Sequence, residues 1–302
     1  MPETIFNSVQ TNMEKVLLRI GHYLELVKFP HTVFALPFAL ISFMTALKVH
    51  QIHFRWPVLL WVLVCMVSAR TAAMAFNRLV DQEIDSRNPR TQGRHLPQGI
   101  LSVREVWTLV LFCCGVFILA CWQINTWTLI LSPVALAVVL GYSLTKYFTS
   151  LTHFVLGSAL ALAPLGAWIA ASETIGWPPV ILAAGVVVWV AGLDILYALQ
   201  DEEVDRKEGL GSLVVILGRK GALWLSCGLH VLAVLGFLVF GLLADFGWIY
   251  YLGLALAGGV LTAEHLMVTP QDIRRVNAAF FTANGLVSVG LFVFTLLEII
   301  WV

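Results

Sequence analysis

Two short acidic stretches share one spacing. Asn77, Asp81 and Asp85 fall at four-residue intervals in NRLVDQEID, and Tyr197, Asp201 and Asp205 repeat the interval in YALQDEEVD, with Asp194 seven positions before Asp201. On a continuing helix that interval stacks side chains along one face. Clustered aspartates repel one another and are costly in an apolar setting, so they persist only beside cations or in a watered site. Mg²⁺ takes hard oxygen ligands and bridges one or two carboxylates to substrate phosphates. Two facing pairs, Asp81 with Asp85 and Asp201 with Asp205, are therefore suited to clamp a diphosphate through magnesium and to stabilise it as a leaving group. Arg87, Arg90, Arg94 and Lys146 are the nearby groups that suit phosphate oxygens, arginine by its fork and lysine as a point charge. Glu83, Glu202, Glu203 and Glu208 read as ordinary solvated loop residues. Arg70 is the other costly residue: seven positions before Asn77, it lies two turns deeper on nearly the same face. There it either holds an anionic substrate or pairs with Asp194.

The elements that must position these residues are membrane helices. Of 302 residues, 59% are hydrophobic and 12% charged, with a mean hydropathy of +0.87, too apolar for an ordinary soluble domain. A spanning helix needs roughly 20 apolar residues. Nine such runs are expected, near 24–47, 58–79, 104–122, 127–145, 153–172, 179–199, 221–243, 247–267 and 278–301. The expected fold is all-α, a polytopic bundle of about nine transmembrane helices forming a single domain over 24–302 behind a cytoplasmic N-terminal segment, 1–23. Lys15 and Arg19 precede the first run, Arg87, Arg90 and Arg94 follow the second, and Lys146 ends the fourth. Arg206, Lys207, Arg219 and Lys220 follow the sixth, and Arg274 and Arg275 the eighth. The positive-inside rule then puts the N-terminus and both aspartate stretches on the cytoplasmic side and the C-terminus outside.

Other signals are weak. The opening segment MPETIFNSVQTNMEK has neither an apolar core nor a cleavage site, so no secretory or transit leader is expected. Cys65, Cys113, Cys114, Cys121 and Cys227 sit in apolar runs without CxxC spacing and read as packing residues. The eight histidines show no metal-ligand spacing, His31 near Lys28 being the one of interest. No nucleic-acid patch stands out. An ion or proton-coupled transporter would also carry intramembrane Asp and Arg and an internal repeat. A proton relay, however, favours carboxylates spread through the membrane depth, whereas these cluster at one face.

The motifs together resemble the intramembrane aromatic prenyltransferases typified by 4-hydroxybenzoate polyprenyltransferase. The resemblance spans nearly the whole chain. It rests on NxxxDxxxD at Asn77, Asp81 and Asp85 with the following RNPRTQGRHLPQG, on GYSLTKYFT around Lys146, and on DxxYxxxDxxxD from Asp194 to Asp205. KFPHTVFALPFAL, from Lys28 to Leu40, resembles the first-span motif of a bacterial subgroup of that family. The resemblance implies a helical bundle around a central cavity open to lipid, in the bacterial inner membrane. It implies Mg²⁺ held by Asn77, Asp81, Asp85, Asp201 and Asp205, and Lys146 on the phosphate. The substrates implied are a polyprenyl diphosphate and a small aromatic acid, joined in ubiquinone or menaquinone synthesis. The acceptor is 4-hydroxybenzoate or, as in a subgroup with this first span and NPRT loop, 1,4-dihydroxy-6-naphthoate. Arg70, Asp194 and Tyr197 are the candidates for the acceptor site; Trp61, Trp168 and Trp189 fit a tunnel lining, although a lipid-facing or helix-packing role is the commoner meaning for any one of them. The common RPLPSG reads here RHLPQG, with His95 in place of a proline and Gln98 in place of a serine.

Overall fold

The computed structural model describes residues 18–19, 21–27, 35–278 and 282–301. The segment 1–17 and the opening of the first-span motif, Lys28 to Phe34, lie outside the described residues, and Lys15 and His31 with them. The elements that matter are all helices: α1 Leu36–His50, α2 Trp56–Val80, α3 Gln82–Arg87, α4 Val103–Ile124, α5 Thr126–Thr145, α6 Thr152–Ser172, α7 Trp177–Ala198, α8 Glu202–Glu208, α9 Leu213–Leu243, α10 Trp248–Met267 and α11 Asn284–Trp301. Among the described residues, eight are long and apolar enough to cross a membrane, and α1 is a shorter apolar helix. The protein is thus an all-helical polytopic membrane protein.

Most boundaries fall within two residues of those expected. The first and last runs differ. Residues 21–26 form a separate helical turn, and α1 begins only at Leu36, with Pro37 in its first turn where a missing N–H costs nothing. At 15 residues it is about 22 Å long by the helical rise, short of a full hydrocarbon core. The last helix begins at Asn284. The expected start of the seventh run at 221 reflects a real break: Gly218, at φ 65° and ψ 171°, divides α9 and separates a first turn from the long apolar segment.

Local chemistry explains the ends. Pro57 and Pro178 open α2 and α7 in the first turn. Ser102 with Glu105, and Asn125 with Thr128, form reciprocal capping boxes at α4 and α5. Pro133 inside α5 leaves the Leu129 carbonyl without its helical donor, and Ser132 Oγ donates to that carbonyl at 2.8 Å. Glu298 is fully buried in α11, and its carboxylate accepts from the backbone N–H groups of Gly247, Ile249 and Tyr250 at 2.7, 3.1 and 3.3 Å. Those are donors that the start of α10 would otherwise leave unpaired, so a buried charge and a helix N-terminus satisfy one another.

Helix α7 is the axis of the bundle, packed on α6 and α9. Gly157 of α6 allows that contact, since a Cβ there would lie 2.4 Å from the Val187 carbonyl oxygen of α7. Phe38, Trp189, Phe237 and Phe240 fill the core on this side. Helices α2, α4 and α5 form a second group, joined to the first where Phe43 of α1 and Ala167 of α6 meet Val62 of α2. Leu111, Phe112, Trp122 and Ile130 point outward from α4 and α5, as a lipid-facing surface requires. The connections alternate. Those after α2, α5 and α7 meet at one end, where Arg87 reaches Glu208 and Gly211 reaches Lys146. At the other end Lys48 Nζ donates to the Asp245 carbonyl at 3.1 Å, and His50 meets Thr174 at 3.2 Å.

Candidate active site

Helix α2 stops at Val80 and α3 starts at Gln82, yet Asp81 N donates to Asn77 O at 3.0 Å and Asp85 N to Asp81 O at 2.7 Å. The four-residue register therefore survives the joint, and the side chains of Asn77, Asp81 and Asp85 share one wall. The second motif is tighter. Leu199, Gln200 and Asp201 donate to carbonyls three residues back, and only Asp205 N returns to the four-residue pattern, on Asp201 O at 2.8 Å. Tyr197 and Asp201 are thus joined by a 3₁₀ turn and not by one continuing α-helix.

Both motifs line a cavity of about 1170 Å³ at this end of the bundle. Of the residues singled out in the sequence, Arg70, Asn77, Asp81, Asp85, Arg90, Arg94, Lys146, Asp194, Tyr197, Asp201 and Asp205 all reach its wall. Arg87 does not. Its guanidinium is taken by Glu83, one turn back at 2.9 Å, and by Glu208 at 2.7 Å. The expected phosphate contact from Arg87 is not in place, because α3 turns that side chain away from the cavity and toward α8. Glu202, read as merely solvated, pairs with Arg219 at 2.7 Å and Arg206 at 3.3 Å.

Three of the four motif aspartates are each matched to a cation. Lys146 Nζ stands 2.5 Å from Asp81 Oδ1. Arg94 Nη1 donates to both oxygens of Asp85, at 2.7 and 2.6 Å. Arg90 grips Asp201 through Nε at 2.9 Å and Nη2 at 2.5 Å, while its Nη1 donates to the Tyr197 hydroxyl at 3.1 Å. Asn88, which the sequence reading passed over, holds this arrangement together: its Nδ2 donates to Asp201 Oδ1 at 3.1 Å, and its Oδ1 accepts from Arg90 N at 2.9 Å. Asp205 has no such counter-ion among the described residues. Burial and the neighbouring Asp201 push its carboxyl up to about 6, with Lys146 pulling the other way. Burial likewise raises Asp81, opposed by Lys146. Burial works against the charge of Arg90, and the Asp201 carboxylate outweighs it, raising that guanidinium. Oxygen donors on two facing walls, one of them an uncompensated carboxylate, are a fitting donor set for Mg²⁺. Asn77 Oδ1 accepts from Arg78 Nη1 at 3.2 Å, and Arg78, buried and also on the wall, is a second residue not foreseen.

Lys146 owes its position to a glycine. Gly211 N donates to the Lys146 carbonyl at 2.6 Å, and a Cβ on Gly211 would lie 2.1 Å from the Thr149 carbonyl oxygen. Any side chain there would push the loop after α5 away from the second motif.

Deeper in, the wall changes character. A second cavity of about 210 Å³ is lined by Ala35, Met66, Ala73, Leu131, Ala163 and other apolar groups, and shares Arg70, Met74, Tyr142, Leu156 and Leu160 with the first. Space is left by small side chains and not by an aromatic tunnel. Trp168 and Trp189 are buried in the core away from both walls, Trp61 lines neither, and Phe117 is the phenylalanine in the lining. Arg70 stands at the junction, its Nε buried with no hydrogen-bond partner among the described residues. It does not pair with Asp194, whose Oδ2 is 2.7 Å from His153 Nδ1. At the rim, His95 Nε2 is 3.3 Å from Glu25 Oε2, and its ring meets that of His22 at 5.2 Å.

A polar chamber with paired cations and carboxylates, opening into an apolar one, suits a substrate with an anionic head and a hydrocarbon tail. Comparison with known proteins agrees. The family model described as the UbiA prenyltransferase family matches residues 35–286. A 4-hydroxybenzoate octaprenyltransferase of Sodalis glossinidius is 31% identical over 232 residues, 76% of this chain and 79% of that protein. One from Citrobacter koseri is 29% identical over 230 residues, covering 74% and 79%. Among solved structures, a UbiA homolog from Aeropyrum pernix K1 superposes with a TM-score of 0.80 at 32% identity, covering 89% of this chain and 98% of that one. A UbiA homolog from Archaeoglobus fulgidus bound to DMAPP and Mg²⁺ has the same fold, with a TM-score of 0.69 at 18% identity over 93% and 99%.

Proposed function

Because the chain belongs to the UbiA prenyltransferase family, we propose that it transfers a polyprenyl group from a polyprenyl diphosphate to 4-hydroxybenzoate, with Mg²⁺ as cofactor, in quinone synthesis. The observation that carries this reading is the one cavity that Asp81, Asp85, Asp201 and Asp205 line together with Arg90, Arg94 and Lys146, above Arg70, whose Nε has no hydrogen-bond partner among the described residues. The names of the curated relatives favour hydroxybenzoate as acceptor. The site lies at the end where the basic connections gather, which by the positive-inside rule is the cytoplasmic face of the bacterial inner membrane, with the N-terminus on that side.

Asp81, Asp85, Asp201 and Asp205, with Asn77, hold the magnesium diphosphate, and the bound metal supplies Lewis-acid stabilisation of the departing charge. Arg90, Arg94 and Lys146 turn from the carboxylates to the phosphate oxygens as the head group enters. The tail lies along the apolar lining beyond Leu156 and Leu160, which keeps water from the allylic cation formed when the carbon–oxygen bond breaks. Arg70 holds the acceptor carboxylate at the junction, which places the ring carbon ortho to the phenol against that cation, and Asp194 and Tyr197 shape the acceptor site. Arg87 is left to its ion pairs.

The test is prenyl transfer by purified protein in detergent with Mg²⁺ and a polyprenyl diphosphate, offering 4-hydroxybenzoate and 1,4-dihydroxy-6-naphthoate separately, with products read by mass spectrometry. Prenylated hydroxybenzoate with released diphosphate is expected. Transfer to the naphthoate alone would move the acceptor assignment, and transfer to neither would overturn the reading. Asp81→Ala and Asp201→Ala should each abolish turnover in protein that still inserts and folds.

A further inference from the structure

The reaction proposed above leaves one proton unassigned. After the ring carbon bonds to the allylic carbon, the ring stays non-aromatic until that carbon loses its hydrogen. We propose that His153 Nε2 accepts this proton, with Asp194 as the positioning residue that orients the imidazole; this assignment rests on the aromatic-acceptor reading.

Three observations carry it. His153 lies in the first turn of α6 on the cavity wall, and is 2% exposed. Its Nδ1 is 2.7 Å from Asp194 Oδ2 on α7. An ionised carboxylate can only accept, so the proton of this hydrogen bond belongs to Nδ1, and Nε2 carries the lone pair. Nε2 itself is buried and has no hydrogen-bond partner among the described residues. A buried acceptor left open is uncommon and calls for an explanation, and we assign it to the proton taken from an acceptor ring bound beside His153 on the cavity wall. The other candidates have roles already: Asp81, Asp85, Asp201 and Asp205 are the magnesium ligands of the reading proposed above, and the Tyr197 hydroxyl accepts from Arg90.

The dyad is held rigidly. Close α6–α7 packing at Gly157 holds the two helices together one turn beyond His153, so His153 and Asp194 both stand on packed helices and not on a loop. In the step itself the C–H bond breaks and its electron pair returns to the ring. The proton moves to Nε2, and the imidazolium so formed is balanced by Asp194. It gives the proton to solvent when product leaves, so the cycle closes without another reactant.

The experiment compares wild-type protein with His153→Gln and Asp194→Asn, using 4-hydroxybenzoate deuterated at both carbons ortho to the phenol, or the correspondingly deuterated naphthoate if that is the acceptor. In the wild type, carbon–oxygen cleavage is expected to limit the rate, so ring deuteration should change it little. In His153→Gln, kcat should fall by roughly 10²-fold or more, the usual worth of a positioned base. KM for the diphosphate should hold, and a primary isotope effect should appear because proton loss has become slow. Asp194→Asn should show the same isotope effect with a smaller fall. Thermal unfolding in detergent and Mg²⁺-dependent diphosphate binding report whether each variant is folded. A folded His153→Gln protein with unchanged kcat, or with a lowered kcat and no new isotope effect, would overturn the assignment while leaving the prenyl-transfer reading intact. Should His153→Gln fail to fold, Asp194→Asn decides by the same isotope criterion. A wild type that prenylates neither acceptor removes both.

Discussion

Lys146, Arg94 and Arg90 each hold one aspartate of the site, and Arg87, equally basic and only a few residues away in sequence, holds none. Charge-assisted contacts of this kind are worth about 1.5–3 kcal/mol. Lys146→Ala is accordingly expected to weaken diphosphate binding by about 10-fold or more, measured by calorimetry with Mg²⁺ present. Arg87→Ala removes ion pairs that are exposed and screened by water, and should leave that affinity within about twofold. Asp205 sets a pH dependence. Its folded pKa, about 6, is raised above the ordinary carboxylate value. It therefore opposes folding of the metal-free protein as pH rises through that value, and it must ionise before it can ligate a metal. The stabilisation that Mg²⁺ with a diphosphate confers should then grow between about pH 5 and pH 7 and level off above, read as the rise in Tm on adding both. At this scale the aspartates were legible because their partners in function lie four residues apart. His153 was not, because its partner Asp194 is 41 residues away and nothing in an apolar run distinguishes it. The side-chain direction of Arg87 was hidden for the same reason, since Glu208 lies 121 residues off.

Helices were legible from apolar run length, and the joints between them were not. The register of Asp81 and Asp85 continues through a break in α2, whereas that of Tyr197 and Asp201 is cut by a 3₁₀ turn. Both follow from backbone hydrogen bonding that side-chain spacing cannot report. The contact between the loop after α5 and the start of α9 was equally invisible, because it depends on what Gly211 lacks. Gly211→Ala would bring a Cβ to 2.1 Å from the Thr149 carbonyl, and overpacking against backbone costs about 1–3 kcal/mol. We expect a lowered Tm together with a raised KM for the diphosphate, because Lys146 moves with its loop. Gly209→Ala is the control: its φ of 67° strains the backbone, but no atom stands within 4 Å of the added Cβ, so it should lower Tm without the effect on KM.

As a whole molecule, the protein divides into a group of helices built on α7 and a smaller group of α2, α4 and α5, with the two chambers between them. The overall bundle and the end that carries the chemistry follow from the sequence, since run lengths count the helices and basic connections mark the shared end. The wall material does not. Trp168 and Trp189 fill core volume, and the hollow is left by Ala69, Ala73, Ala159 and Ala163, residues too ordinary to announce a cavity. Those small side chains leave the two helix groups with an interface that the protein alone fills incompletely. On the reading proposed above, the missing packing is hydrocarbon, and the prenyl tail of the substrate would supply it. A bound tail touching both groups would act as an interior side chain supplied from the bilayer, and the enzyme would be completed by what it consumes. Non-hydrolysable diphosphates of increasing isoprenoid length, compared at equal occupancy with Mg²⁺, should raise Tm in steps until the hollow is full and then cease to do so. A Tm that ignored tail length would mean that the two groups are already locked together before substrate arrives.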